Sequence, residues 1–297
     1  MAKGGLSEIG SEIGSESGTE IKRVLAGELD GCIVEGDCLE VMREMPDGCA
    51  DMVFMDPPYG HNNNNNGDLI ANWEAALGRG KSGPARPIAN DGPEANQLVQ
   101  NALGLVRRLL PPGACCCCCC CGGGGPDPQF ARWSLWMDEA IGFKQMVIWD
   151  KGGLGMGWHY RRNYETVLVG QKPGAKCRWY GGHRTPNVVR IPKIIPRRDQ
   201  HPTQKPVELA EWFLSLHSRP GDLVLDPFCG AGTTCVAAKG MGRRYIGIEL
   251  DGHWCADARR RLKNTPRPLL GGGRKMNRAE KQAVVEANLN EAAAKEK

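Results

Sequence analysis

Residues 223–234 read Leu223-Val224-Leu225-Asp226-Pro227-Phe228-Cys229-Gly230-Ala231-Gly232-Thr233-Thr234: an apolar strand closed by an acid, a glycine turn, then the opening of a helix. Gly230 and Gly232 let the backbone come closer to a ligand than any side chain would allow. The helix that follows turns its N–H groups and the positive end of its dipole toward negative charge. A dinucleotide fold requires another glycine three positions on, and Cys235 stands there instead. The turn therefore argues against NAD and for a nucleoside ligand without a pyrophosphate. Glu249 closes the next strand, 23 residues beyond Asp226, where a carboxylate is placed to hold ribose hydroxyls.

A second strand ends in chemistry: Asp51-Met52-Val53-Phe54-Met55-Asp56-Pro57-Pro58-Tyr59-Gly60. Two consecutive prolines fix two φ angles and remove two backbone donors, leaving carbonyls free to accept. An acid, rigid accepting carbonyls and an aromatic ring together suit one task. They can grip both hydrogens of an exocyclic amino group while the ring stacks on the attached base.

Around these two strand ends, strand and helix signals alternate. Strands are expected at 32–35, 51–55, 115–121, 145–149, 165–169, 222–225 and 245–248, and helices at 39–45, 96–110, 130–141, 207–216, 233–239 and 253–262. Such alternation predicts an α/β fold with a doubly wound, mostly parallel sheet, whose ligands sit at the carboxyl ends of the strands. The chain divides into a low-complexity, disordered stretch at 1–30, a catalytic half at 31–170, a basic segment at 171–200, a cofactor half at 201–268, and a flexible or helical tail at 269–297. Five asparagines at 62–66 predict a loop.

The 297 residues, 41% hydrophobic and 24% charged, suit one large globular domain and exclude wholesale disorder. No stretch reaches the ~20 apolar residues of a membrane span. The N-terminus lacks a signal-peptide pattern, so a cytoplasmic protein is expected. The net charge of +4 is unevenly spread: residues 171–205 hold nine Lys/Arg against Asp199 alone, a local +8. Of the 14 cysteines, seven run consecutively at 115–121. Neighbours in a strand point to opposite faces and cannot pair with one another, and the run lacks the spacing of metal ligands. The expectation is a buried strand of free thiols, with no metal site.

With these residues in view the chain, from about residue 33 to 262, resembles the S-adenosylmethionine-dependent DNA amino-methyltransferases in their permuted β-type motif order. Asp56, Pro57, Pro58 and Tyr59 resemble that family's catalytic tetrapeptide, and residues 226–234 its cofactor turn. The resemblance implies S-adenosyl-L-methionine as cofactor, held by Asp37, Cys38, Lys205, Asp226, Phe228, Gly230, Gly232, Thr233, Thr234, Glu249 and Leu250. Gly36-Asp37 matches the pair touching the adenine, Glu249 the ribose-binding acid, and residues 201–206 the segment leading the helix over the methionine moiety. Residues 152–165, with Trp158, Tyr160, Arg161 and Arg162, resemble the block bordering the flipped-base pocket. The implied fold is a Rossmann-like sheet of seven strands, the last antiparallel, with an inserted target-recognition region at 171–200. Double-stranded DNA is the implied partner, with Arg161, Arg162, Arg178, Arg184, Arg197 and Arg198 as candidate contacts. A homodimer and a bacterial or phage-encoded, nucleoid-associated enzyme are further family expectations.

Direct transfer of a methyl group to a flipped base follows, with no metal and no covalent intermediate. The absence of a Pro-Cys nucleophile block argues against attack on a ring carbon. An Asp at the first tetrapeptide position goes mostly with adenine in this family, so adenine N6 is the favoured target and cytosine N4 the alternative. Protein-glutamine and RNA methyltransferases usually begin the tetrapeptide with Asn, and the +8 segment fits duplex DNA better. A catalytically inactive DNA-binding protein would keep the basic segment while losing Asp56 or Glu249; both are present.

Overall fold

The computed structural model describes residues 15–60, 88–120, 129–153, 162–194, 201 and 203–268. In chain order the elements are α1 (Ser15–Leu25), β1 (Gly31–Glu35), α2 (Cys38–Glu44), β2 (Met52–Met55), α3 (Ala95–Leu109), β3 (Cys115–Cys120), α4 (Gln129–Ala140), β4 (Phe143–Asp150) and β5 (Tyr164–Gln171). There follow β6 (Val188–Arg190), α5 (Val207–His217), β7 (Leu223–Asp226), α6 (Thr233–Gly240), β8 (Arg244–Glu249) and α7 (Gly252–Lys263). The strands form one sheet in the order β1-β8-β7-β2-β3-β5-β4-β6. Only β5 runs against its neighbours β3 and β4; every other pair is parallel.

The central strands are apolar throughout because helices cover both of their faces. On one face α1–α4 bury Val24, Met42, Leu103 and Trp133; on the other α5–α7 bury Phe213, Ala238 and Ala258. The cysteine strand divides between these layers as the two-residue period requires: Cys116, Cys118 and Cys120 go to the first, Cys117 and Cys119 to the second. All six are buried free thiols serving as small apolar side chains. Cys121 and the asparagine run lie outside the described residues.

Three expectations need correction. The sheet has eight strands among the described residues, not seven, because the basic segment contributes β6 alongside β4. The antiparallel strand is β5, in the interior of the sheet, and the last strand of the chain, β8, is parallel. Residues 1–30 are not all irregular: α1 begins inside the Ser/Glu repeat, where Ile21 and Val24 fall on one helix face and are fully buried. That apolar spacing, masked by the repeat, supplies the burial that orders the helix.

Burial pushes the thiols of β3 well above the ordinary cysteine range. In native protein, Ellman's reagent is expected to leave these six thiols unreacted and, among the cysteines of the described residues, to modify the half-buried Cys177 first, since burial pushes the Cys49 thiol up to about 12. The β3 thiols become reactive only in guanidinium; rapid native modification of β3 would contradict its place in the core.

Candidate active site

Parallel pairing of β2 with β7, Met52 opposite Val224 and Val53 opposite Leu225, sets two strand ends side by side. From β2 the chain crosses through α3 to β3 on one side, and from β7 through α6 to β8 on the other, over opposite faces of the sheet. A crevice opens where crossovers diverge in this way. It is a cleft of about 1240 Å³, part of it open solvent, with Asp226, Glu249 and Asp56 along its walls.

On the β7 side, Asp226 is 3% exposed, and Phe228 donates its backbone N–H to Oδ1 at 3.0 Å. Burial pushes the Asp226 carboxyl up to about 7, with the charges of Asp56 and Glu249 adding to the shift and hydrogen bonds from Thr234 and Phe228 opposing it. Burial raises Glu249 as well. Glu249 Oε2 accepts from Gly230 N and Oε1 from Asp251 N, each at 2.9 Å, leaving a lone pair on each oxygen for a further donor. Among the described residues no salt bridge reaches Asp226 or Glu249. A buried acid, Asp226, and a partly buried one, Glu249, neither reached by a salt bridge among the described residues, fit a cationic, hydroxyl-bearing ligand with an aromatic ring beside Phe228 and Trp254. Gly230 (φ +49°) stays bare beneath the His201 ring, and a Cβ there would lie 3.5 Å from His201 Nε2. Cys38, Thr233 and Leu250 also line the cleft. Asp37 lines it too, but its Oδ1 caps α2, accepting from Leu39 N at 2.7 Å and Glu40 N at 3.2 Å. Gly232 is not among the lining residues. At φ +78°, a Cβ there would stand 2.8 Å from that of Ala258, so this glycine lets α6 and α7 pack closely.

On the β2 side, Lys205 organises the tetrapeptide. Its Nζ donates to Asp56 Oδ1 at 2.9 Å, to Oδ2 at 2.7 Å and to Tyr59 Oη at 3.0 Å, and lies 3.5 Å from Glu165 Oε2. Tyr59 Oη donates to Asp56 Oδ1 at 2.5 Å. Lys151 completes the row, with Nζ 3.0 Å from Glu165 Oε1. Burial opposes the Lys205 charge, but Asp56 and Glu165 outweigh it and hold the ammonium above the usual lysine value. Burial likewise opposes the Glu165 charge, and Lys205 and Lys151 outweigh it, so its carboxyl is lowered. The sequence groups Lys205 with the cofactor set; its ammonium is placed on the Asp56 carboxylate.

A family model described as DNA methylase matches residues 50–260. The chain belongs to the N6/N4 DNA methylase family. It is 26% identical to the DNA adenine methyltransferase YhdJ of Escherichia coli, over 77% of this chain and 82% of that protein. It is 25% identical to the type II methyltransferase M2.DpnII of Streptococcus pneumoniae, over 78% and 89%. Among solved structures, the DNA modification methylase TTHA0409 of Thermus thermophilus aligns with TM-score 0.56 at 25% identity, covering 80% of this chain and 95% of that one. The cytosine-N4-specific PvuII DNA methyltransferase aligns with TM-score 0.58 at 18% identity, covering 78% and 86%, a likeness of fold.

The N6/N4 methylase divides its basic segment between the two ends of the sheet. Because β5 is antiparallel, the chain leaves it at the end opposite the cleft, and β6, parallel to β4, leads back. Arg178, a candidate DNA contact, therefore lies at the end of the sheet opposite the cleft. It sits at the start of β2, ion-paired with Asp51 at 2.5 Å. Arg184 is exposed on the turn before β6. Arg162, beside the start of β5, and Arg190 and Lys193, at and beyond the end of β6, lie at the same end of the sheet as the cleft. Arg161, Arg197 and Arg198, like Trp158 and Tyr160, fall outside the described residues. Sequence reading passed over Asp91, Gln129, Lys151 and the pairing role of Glu165, since none belongs to a motif. The one signal available was an acid and an amide flanking predicted helices at positions that prove buried.

Replacing Lys205 with Met should leave the partly buried Asp56 carboxylate without its counter-charge and Glu165 with Lys151 alone, a loss of about 1–3 kcal/mol in urea unfolding at pH 7. Glu165 contributes stability above the ordinary carboxylate value and loses it as pH falls through its lowered folded value. The difference between Lys205→Met and wild type should therefore shrink at acid pH; a constant difference would argue against the ion-pair account.

Proposed function

We propose that this DNA methylase transfers the methyl group of S-adenosylmethionine to the exocyclic N6 of an adenine flipped out of duplex DNA. The observation that carries the reading is a single cleft holding, on neighbouring strand ends, an acid-Pro-Pro-Tyr sequence and two acids, Asp226 and Glu249, that no salt bridge reaches among the described residues. Asp226 is the acid suited to the cationic end of the cofactor, and Glu249, through its remaining lone pairs, to the ribose hydroxyls. When bound, the cofactor supplies an electrophilic sulfonium methyl.

The chain's own part is to receive and orient the base. Asp56 Oδ1 already accepts two donors and Oδ2 one, so the carboxylate has one good acceptor position left, on Oδ2. That position takes one amino hydrogen and the Pro57 carbonyl takes the other. Held so, the nitrogen lone pair is turned out of conjugation with the ring and toward the methyl group. Tyr59, fixed by Lys205 and Asp56, offers its ring to the base. Pre-organised acceptors and alignment account for the rate, several kcal/mol being within their reach. The leading Asp of the tetrapeptide and the adenine-methylating name of YhdJ favour adenine over cytosine N4.

Modified-base sequencing of DNA from cells expressing the chain should show N6-methyladenine at one sequence; N4-methylcytosine there would overturn the adenine reading. Asp56→Ala should retain cofactor and DNA binding while losing methyl transfer by a factor of about 10² or more, and near-wild-type turnover would remove its catalytic role.

Two further outcomes are expected. Since Asp226 is protonated below about 7 in the free protein, cofactor affinity by calorimetry should rise by up to about tenfold per pH unit approaching that value and then level off. Asp226→Asn should weaken binding and flatten this dependence. Replacing Arg190 and Lys193 with Ala should lower the slope of log DNA affinity against log salt by about one to two units, while Arg178→Ala leaves it unchanged. The reverse pattern would move the DNA surface to the other end of the sheet.

A further inference from the structure

We propose that Asp91 and Gln129 are positioning residues for methyl transfer, acting through the backbone of Tyr59; the proposal rests on the reading of Tyr59 as the platform of the flipped base. Asp91 is 1% exposed, and its Oδ1 accepts from two consecutive amides, Tyr59 N at 2.9 Å and Gly60 N at 2.8 Å. Gln129, 7% exposed at the start of α4, donates from Nε2 to the Tyr59 carbonyl at 3.1 Å. Both polar groups of the Tyr59 backbone are thus held by buried side chains from two separate parts of the chain, over 30 residues away.

The local backbone is shaped to bring them there. Asn90 adopts a left-handed conformation (φ +57°), which asparagine tolerates better than most residues, and it precedes Asp91 directly. Gly60 is also left-handed (φ +74°), and a Cβ on it would come within 3.3 Å of the Gly92 carbonyl and 3.6 Å of Gln129 Nε2. The clamp needs a bare residue at 60. Beneath the platform, the Tyr59 ring lies 6.0 Å from that of Trp133, whose Nε1 donates to Asn96 Oδ1 at 3.0 Å.

The hydroxyl of Tyr59 is tied to Asp56 and Lys205, so its backbone and its ring tip are fixed independently. Releasing the backbone would let the ring pivot about its hydroxyl and carry the stacked base off line. A misplacement of about 1 Å in such an arrangement costs on the order of 10² in rate. The cofactor acids Asp226 and Glu249 are held from β7 and β8 and would be untouched.

The test compares wild type, Asp91→Ala, Asp91→Asn and Gln129→Ala in single-turnover transfer of labelled methyl from S-adenosylmethionine. The DNA is a duplex bearing the methylated sequence mapped by modified-base sequencing. Companion measurements are cofactor binding by calorimetry, thermal unfolding, and 2-aminopurine fluorescence at the target position. Asp91→Ala and Gln129→Ala should each slow transfer by about tenfold to a hundredfold and alter the 2-aminopurine signal, with cofactor affinity kept within about twofold. Asp91→Asn, whose Oδ1 still accepts both amides, should stay within about threefold of wild type. Wild-type rates in both alanine variants, or cofactor affinity falling in step with rate, would overturn the proposal. So would Asp91→Asn being as slow as Asp91→Ala. If Asp91→Ala fails to fold, Gln129→Ala and Asp91→Asn decide the matter by the same criteria. Methyl found on cytosine would overturn the adenine reading alone, since the rate ratios still judge the clamp.

Discussion

Pairing between β2 and β7 is the contact on which the active site depends. Asp56 and Asp226 are 170 residues apart in the chain and become neighbours because these two short strands lie parallel and in register. The pairing is secured just before the strands begin. Asp51 N donates to the Leu223 carbonyl at 2.9 Å, and Asp51 Oδ2 accepts from Leu223 N at 2.9 Å. Arg178, tied to the other oxygen of Asp51, belongs to this lock. A slip of one residue would reverse every side chain of a four-residue strand and turn Asp56 away from the cleft. An arginine suggestive of DNA binding in the sequence thus helps hold β2, and with it Asp56, in place from the end of the sheet opposite the cleft.

The electrostatics of the cleft are divided between its two walls. On the tetrapeptide side the charges alternate, with partly buried Lys151, Glu165 and Asp56 around the buried Lys205, each compensated by its neighbour. Burying such a row is costly unless it is closely paired, and the distances here meet that requirement. On the other side Asp226 and Glu249 are raised by burial, with only hydrogen bonds pulling against it. One wall is set by ion pairs before any ligand arrives, and the other holds two acids, raised by burial and reached by no salt bridge among the described residues, that a cation would favour in their charged form. The difference supports assigning geometry of the base to the first wall and recognition of the methyl donor to the second.

Core composition, by contrast, is permissive. Six consecutive cysteines fill a central strand between β2 and β5, because that site asks only for small apolar side chains on both faces. A two-sided buried strand reads as a continuous apolar run, which made β3 visible despite its odd composition. The strand signals at 51–55, 165–169 and 245–248, observed as strands at 52–55, 164–171 and 244–249, and the helices between, were visible for similar reasons. Two elements escaped. In α1 a polar repeat hides the apolar face, and β6 is a three-residue edge strand held by pairing with β4 more than by its own pattern.

The sequence by itself determined the α/β alternation, the Asp-Pro-Pro-Tyr strand end and the glycine turn with Glu249 beyond it, because each depends on neighbours along the chain: proline geometry, glycine freedom and hydrophobic period. Only the tertiary structure decided which partner each polar atom receives. Lys205 went to Asp56, Arg178 to Asp51, and Asp91 and Gln129 to the backbone of Tyr59. These choices depend on which strand ends meet and on which way the chain leaves β5. Both are set by packing two helical layers on a common sheet, a constraint acting over separations at which local pattern carries no information.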